Sequence, residues 1–149
     1  MSSEQAEANK RIVCRYYDEV FTQRNLAALD ELFSPDFVGH SAAYGDYTIA
    51  DMRGGIAHEH DDMPTDETTI EDQIAEGDRV VTRWRYRWLH TLSLFGEQPT
   101  GQWIAMEGVH IDRLAGGRIT ERWEIKDFWG VVSRLGGRAT FPATEAPAE

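Results

Sequence analysis

Cysteine and basic residues are scarce in this 149-residue chain, and each scarcity excludes a class of protein. The single cysteine, Cys14, cannot form an internal disulfide, and no Cys/His cluster offers zinc-ligand spacing, so we expect no metal site. Lys and Arg number 15 against 26 Asp and Glu, which gives a formal net charge of −11. Because nucleic-acid binders need a basic surface that neutralises phosphates, we expect no nucleic-acid partner.

Long apolar runs are also missing. The N-terminus is polar and acidic where a signal peptide would need a basic start and an apolar stretch. No segment approaches the roughly 20 apolar residues that span a membrane. These absences and the lone thiol predict a cytoplasmic protein with no membrane partner.

The length and the 41% hydrophobic content are typical of one globular domain with its own core. We place this domain at residues 1–137. Residues 138–149 are rich in Ala, Pro, Thr and Glu and poor in apolar side chains. They are therefore predicted to form a disordered tail.

Apolar residues recur at helical spacing in the N-terminal part of the chain. The pattern predicts an amphipathic helix over residues 4–23, a short helix capped by Asn25 that ends at Ser34-Pro35, and a third helix over residues 48–60. His58 and His60 lie among acidic residues at the end of that third helix. We interpret this run as a solvated helix end.

From Thr68 onward the hydrophobic period changes to two. Strands are predicted over residues 68–76, 79–91, 102–114 and 118–129, in two hairpins that turn at Gly77-Asp78 and Gly116-Gly117. Helices followed by hairpins predict an α+β domain, in which the N-terminal helices cover a curved antiparallel sheet. Such a cone-shaped arrangement leaves an apolar pocket for a small molecule.

Aromatic residues are concentrated on the predicted inner faces of these strands. In the strand over residues 79–91, an aromatic face alternates with one that carries Arg83, Arg85 and Arg87. The predicted partner is a small apolar or aromatic molecule stacked on such side chains, although core packing alone is an equally good explanation. The predicted substrate-binding residues are His40, Trp84, Tyr86, Trp88, His90, Trp103, Met106 and Trp123.

Asp127 is the first catalytic candidate. Alternation along residues 119–129 predicts that Asp127 faces inward between Ile125 and Trp129, while Arg122 and Lys126 lie on the opposite, solvated face. An apolar setting would raise the pKa of this carboxyl, so that it could exchange a proton with an enol or a ketone. The alternative is a structural acid that pairs with an arginine or caps a backbone amide.

His110 is the second catalytic candidate, as an orienting or proton-shuttling group. A two-residue turn at Gly116-Gly117 would pair Ala115 with Arg118 and place His110 opposite Trp123. His110 would then share the face of Asp127 at a separation of roughly 13 Å. A bulge or a three-residue turn would instead turn His110 outward and bring Glu107 to the side of Asp127.

Several short strings resemble the SnoaL-like polyketide cyclase branch of the nuclear transport factor 2-like superfamily. They are DFVGH (36–40), AEGDRV (75–80), PTG (99–101), HIDR (110–113) and GRITERW (117–123), the last leading to Asp127. The resemblance implies a cone-shaped α+β barrel with a deep apolar pocket, and a homodimer. It also implies an aspartate on the last long strand that acts as general acid/base in an intramolecular aldol ring closure, without metal or organic cofactor.

Asp127 occupies the position that matches this aspartate. The predicted function is therefore a cofactor-free, cyclase-like enzyme that closes a ring in an apolar polycyclic substrate. Two alternatives stay open because one scaffold can support many functions. One is a tailoring enzyme with the same pocket, such as a hydroxylase, isomerase or hydrolase. The other is a non-catalytic small-molecule-binding or dimerisation module.

Overall fold

The computed structural model describes residues 3–140, so most of the predicted tail lies outside the described residues. It contains the helices α1 (Ser3–Arg15), α2 (Ala28–Leu32), α3 (Ile49–Asp62) and α4 (Phe128–Arg134). Helix α1 continues into a π-helical segment, Tyr16–Thr22. The predicted long first helix is therefore confirmed, with a change of helical pitch at Tyr16. This wider turn places the consecutive residues Tyr16 and Tyr17 both in the core.

The second and third helices are confirmed with shifted ends. Helix α2 begins at Ala28, and its N-cap residue is Ala27, so the predicted cap by the Asn25 side chain is wrong. Instead, the Asn25 carbonyl accepts a hydrogen bond from the Ala28 amide at 3.2 Å. Helix α3 begins with a capping box, in which Thr48 and Asp51 each accept a backbone N–H from the other.

Six strands form one sheet: β1 (Phe33–Ser41), β2 (Gly45–Thr48), β3 (Glu67–Glu76), β4 (Arg79–Leu89), β5 (Trp103–Ala115) and β6 (Arg118–Lys126). Their order is β2-β1-β6-β5-β4-β3, and β1 pairs with β6 in parallel while the other pairs are antiparallel. The α+β class and the curved sheet covered by N-terminal helices are confirmed. The sheet is open, however, so the closed barrel implied by the resemblance is corrected.

The helices bury their apolar stripe against one face of this sheet. Val13 and Val20 of the first helix, Leu29 of α2 and Val80 of β4 are fully buried. Burial of each such side chain contributes roughly 1.5–3 kcal/mol. On the opposite face of β4, Arg83 pairs with Asp72 of the neighbouring strand, as expected for a solvated surface.

Strand β6 has a different inner face from the predicted one. The predicted pair Ala115–Arg118 is present, but the register shifts by one residue between Arg113 and Leu114, because Thr120 forms a bulge. Beyond the bulge, His110 pairs with Glu124 and not with Trp123. A slip of one residue exchanges the two faces of a strand. The predicted inward placement of the set that contains Trp123 and Ile125 is therefore wrong, and Ile125 is 68% exposed.

No helix within residues 3–140 is long and apolar enough to cross a membrane. The cytoplasmic location and the homodimer stay predictions.

Candidate functional site

A cavity of about 410 Å³ lies between the inner face of the sheet and the helical layer. This volume falls within the roughly 300–1,000 Å³ of small-molecule sites. Strands β2 to β6, the turn before β2, the π-helical segment and helix α3 contribute its walls. The aromatic lining comprises Tyr16, Tyr17, Phe21, Tyr44, Tyr47, Trp84 and Tyr86.

Three of the predicted substrate-binding residues line this cavity, namely Trp84, Tyr86 and Met106. The predicted catalytic candidate His110 also lies on the wall, and it is buried. The bulge at Thr120 did not turn His110 outward. It moved the residues of β6 and left the inner face of β5 in place. The other half of that alternative is present, because the bulge brings Glu107 opposite Asp127, whose amide donates to the Glu107 carbonyl. Both side chains are exposed on the outer face, so Glu107 does not face the cavity.

Two glycines allow aromatic side chains to lie flat on the inner face of the sheet. Gly39 pairs with Tyr47 and Gly108 pairs with Trp84 across neighbouring strands. A Cβ atom at either glycine would overlap the aromatic ring opposite it. The ring therefore covers the glycine. In the first pair this position lets the Tyr47 hydroxyl donate a hydrogen bond to Glu124 Oε2 at 3.1 Å.

Glu124 is the central charged group of the cavity, although simple alternation along β6 groups it with Arg122 and Lys126 on the predicted solvated face. Its Oε2 lies 3.4 Å from His110 Nε2, and its Oε1 lies 3.5 Å from Lys126 Nζ. Burial alone would disfavour the carboxylate. The interaction with His110 and the positive charges of Lys126 and Arg122 outweigh burial and lower the pKa of Glu124 to about 2. Glu124 is therefore ionised at neutral pH.

His110 is held between Glu124 and Tyr17. The Tyr17 hydroxyl lies 2.7 Å from His110 Nδ1. Burial raises the pKa of Tyr17 well above its usual range, so the hydroxyl keeps its proton and donates it to Nδ1. Burial and the charge of Arg122 lower the pKa of His110 to about 4, so the ring is neutral at pH 7. We therefore assign its single proton to Nε2, on the side of Glu124.

Arg122 also lines the cavity, in a buried ion pair with Asp112 of β5. Its Nε and Nη2 donate to the two carboxylate oxygens of Asp112 at 2.7 and 3.1 Å. The guanidinium carbon lies 4.3 Å from the centre of the Tyr16 ring. This pair was not predicted, because alternation placed Arg122 on the solvated face. The available signal was Asp112 itself, because it shares the inner face of β5 with His110 and a buried acid needs a cationic partner.

Asp127 does not line the cavity. Strand β6 ends at Lys126, the Asp127 amide donates to the Glu107 carbonyl, and the chain turns into α4. The exposed Asp127 side chain is the N-cap of α4 and accepts a hydrogen bond from the Gly130 amide at 2.8 Å. Its predicted inward placement is wrong, and the geometry is that of the alternative, an acid that caps a backbone amide. Helix α4 was not predicted, because residues 118–129 were assigned to one strand.

His40 and Trp123 lie together on the outer face of the sheet, so their predicted placement in the pocket is wrong. Their rings stack with centroids 5.4 Å apart. His40 forms hydrogen bonds through Nδ1 with Asp46 Oδ1 at 2.8 Å and through Nε2 with Glu121 Oε1 at 2.9 Å. The hydrogen bonds with these two acids raise the pKa of His40 above its usual value. The bulge that turned Trp123 outward accounts for this pair.

Trp88, His90 and Trp103 also lie outside the cavity, contrary to prediction. Trp88 and His90 are buried at the far end of β4, where His90 Nδ1 lies 3.0 Å from the Thr100 hydroxyl. The ring of Trp103 is half exposed beneath the guanidinium of Arg87. Trp103 pairs with Leu89 and lies on the outer face of the sheet. Trp88 and His90 lie inside but beyond the cavity, because the inner face is longer than the cavity and alternation alone could not separate wall residues from core residues.

The comparisons with known proteins agree with this fold. A family model described as SnoaL-like polyketide cyclase matches residues 11–135. No curated protein sequence matches the chain.

One similar solved structure is AclR from Streptomyces galilaeus, a proposed hydroxylase. It has a TM-score of 0.78 at 25% sequence identity, and the alignment covers 92% of this chain and 90% of the AclR chain. Another is IdmH from Streptomyces antibioticus, a proposed polyketide cyclase. It has a TM-score of 0.77 at 28% identity, and the alignment covers 86% of this chain and 98% of the IdmH chain. A proposed polyketide cyclase from Acidithiobacillus ferrooxidans has a TM-score of 0.75 at 26% identity. The alignment covers 91% of this chain and 98% of that protein's chain.

Proposed function

Because this chain belongs to the SnoaL-like polyketide cyclase family, we propose that it closes a ring in a polycyclic substrate by an intramolecular aldol reaction without a cofactor. The observation that carries the proposal is the ionised Glu124 carboxylate, which lies on the wall of a largely aromatic cavity and contacts His110. A carboxylate in such a setting is poorly solvated and can accept a proton from a bound substrate. We assign this role to Glu124, and not to Asp127.

Glu124 is a weaker base than a free glutamate, because His110, Lys126 and Arg122 stabilise its carboxylate and lower its pKa, and this restricts the substrate. A base of this strength removes a proton at a useful rate only from a strongly activated carbon. A carbon between two carbonyl groups, as in a β-ketoester, is activated in this way. Together with the aromatic lining of the cavity, this gives the proposed substrate class, a fused aromatic compound with a β-dicarbonyl side chain and a second carbonyl within reach.

In the proposed reaction, Glu124 accepts the proton from the carbon between the two carbonyl groups. The electron pair left on this carbon forms the new C–C bond to the second carbonyl carbon. The oxygen of that carbonyl takes up a proton and becomes a hydroxyl group. The side chains of Arg122 and Lys126 place positive charge beside the negative charge that moves from Glu124 to the substrate. The aldol product has the mass of the substrate.

The test uses a naphthalene that carries a formyl group and, on the adjacent ring carbon, a methyl β-ketoester chain. Wild-type protein should speed both the exchange of the activated C–H with D2O and the ring closure, measured by mass spectrometry and chromatography. Glu124→Gln should lower both rates roughly a hundredfold or more. The matched control is Glu121→Gln, on the same strand but on the outer face beside Arg113. It should keep both rates.

Asp127→Asn separates the two candidate bases. An Asn side chain can still cap α4, so this variant should keep the fold and both rates. If Asp127→Asn lost the exchange while Glu124→Gln kept it, the role of Glu124 would be refuted and that of Asp127 restored.

The similarity to AclR supports a second candidate function, hydroxylation of a substrate bound in the same cavity. The product would then gain the mass of one oxygen atom and would form only when O2 and a two-electron reductant are present, the second oxygen atom leaving as water. A non-catalytic binding module would bind the probe and change neither its exchange rate nor its mass.

A further inference from the structure

A second carboxyl group lies on the cavity wall opposite the sheet. Glu59 belongs to α3. It lies three residues after the buried Ile56, which itself lies four residues after the buried Met52, so the three residues form one stripe along the helix. This stripe is the face of α3 that turns toward the sheet. Glu59 therefore faces the cavity from the helical side, whereas Glu124 faces it from β6.

The two carboxyl groups differ in their partners. Glu124 accepts a hydrogen bond from Tyr47 and lies near Lys126. The Glu59 side chain makes no hydrogen bond or ion pair with any residue in the range 3–140. A carboxyl group that no protein group engages is available to a bound molecule.

The electrostatic settings of the two groups also differ. Burial raises the pKa of Glu59, and the negative charges of Asp66 and Glu124 act in the same direction. The positive charge of Lys126 and the neighbouring His58 oppose this shift without reversing it. Glu59 therefore keeps its proton to a higher pH than Glu124 does. Two carboxyl groups whose surroundings separate their proton affinities are suited to opposite roles in acid–base catalysis.

We propose that Glu59 is the general acid of this cavity and gives its proton to the carbonyl oxygen that the new C–C bond converts into a hydroxyl group. The inference rests on the proposed function and adds the second proton transfer. Glu124 gains one proton from carbon, and Glu59 loses one to oxygen. One proton then returns from Glu124 to Glu59, directly or through solvent, so the protein is unchanged after each turnover.

The naphthyl β-ketoester distinguishes the two transfers. Exchange of its activated C–H with D2O requires only the base, whereas ring closure requires the base and the acid. Glu59→Gln should therefore keep C–H exchange near the wild-type rate and lower ring closure roughly a hundredfold. The matched control is Asp61→Asn, which makes the same acid-to-amide change at an exposed position of α3 and should keep both rates.

The outcomes separate failure of this inference from failure of the proposed function. If Glu124→Gln lost both rates while Glu59→Gln kept both, Glu59 would not be the acid and the proposed function would stand. Loss of exchange together with closure in Glu59→Gln would also overturn the inference. If Glu124→Gln kept both rates, the proposed function itself would fail.

A direct titration tests Glu59 without any turnover. With ¹³C-labelled glutamate, the Glu59 carboxyl resonance, assigned by its loss in Glu59→Gln, should titrate above the usual range of glutamate in the wild-type protein. A midpoint at or below that range would overturn the inference, because Glu59 would then carry no proton to donate.

Discussion

Replacement of Asp112 by Asn should be among the most damaging conservative changes in this protein. Asp112 and Arg122 have side-chain exposures of 0% and 1%, and two hydrogen bonds of 2.7 and 3.1 Å join them. Asn keeps the size and one acceptor oxygen but removes the negative charge. The Arg122 guanidinium would then be buried without its counter-charge.

Breaking a buried ion pair from one side costs roughly 3–5 kcal/mol. The retained hydrogen bond and the nearby Glu124 carboxylate offset part of this cost, so we expect a loss of about 3 kcal/mol. A domain of this size is typically stable by roughly 5–15 kcal/mol, so the variant should fold but unfold at clearly lower denaturant. Equilibrium urea unfolding followed by tryptophan fluorescence measures the difference.

The matched control is Asp72→Asn on the outer face of the sheet. Asp72 also accepts two hydrogen bonds from one arginine, Arg83, at 2.9 and 2.8 Å, but its side chain is 58% exposed. Exposed pairs contribute only about 0–1 kcal/mol. The two variants therefore differ mainly in burial. If Asp112→Asn lost less than about 1 kcal/mol, or no more than Asp72→Asn, the assignment of a buried, energetically coupled pair would be refuted.

Three further predictions concern the glycine pairs, the cap and the histidine. Gly108→Ala should force the Trp84 indole off the sheet, because the added Cβ would overlap the ring, at a cost of about 1–3 kcal/mol in the free energy of unfolding. Urea unfolding and near-UV circular dichroism measure the loss and the displaced indole. An unchanged spectrum would contradict the close packing of Gly108 against Trp84. Asp127→Ala should cost about 1 kcal/mol in urea unfolding and Asp127→Asn almost nothing, whereas equal losses would show that charge, not capping, matters. Folding lowers the pKa of His110 from 6.5 to about 4, so the folded protein favours the neutral ring. The contribution of His110 to the free energy of unfolding is therefore fully present above pH 6.5 and is lost as the pH falls toward 4. Unfolding at pH 7 and pH 5 should differ by on the order of 1–2 kcal/mol from this group, and His110→Gln should reduce that difference.

Local patterns determined most of the fold. The alternation in β4 correctly indicated the buried aromatic face and the arginine face, because a two-residue period fixes which side chains share a face. The helical stripes before residue 62 and the glycine turns of both hairpins were also visible in the sequence. Helices that precede hairpins favour an α+β arrangement, and Trp84, Tyr86, Met106 and His110 could be placed on the inner face from spacing alone.

The site itself depended on one feature that spacing could not show. The bulge at Thr120 reverses the faces of β6 beyond that residue, so Arg122 and Glu124 enter the core while Trp123 and Ile125 leave it. An inner face with Arg and Glu contradicts hydrophobic patterning. It is stable here because Asp112 and Lys126 supply opposite charges from positions that only the folded sheet brings together.

The sequence by itself determined the class of fold, the curved sheet with its helical layer, and an aromatic inner face with His110 on it, because these follow from periodicity and turn chemistry along the chain. Only the tertiary structure decided which acids face the cavity. The bulge places Glu124 inside and Asp127 outside, and the orientation of α3 places Glu59 inside. Register and helix orientation are set by contacts between distant segments, which the order of residues alone does not fix.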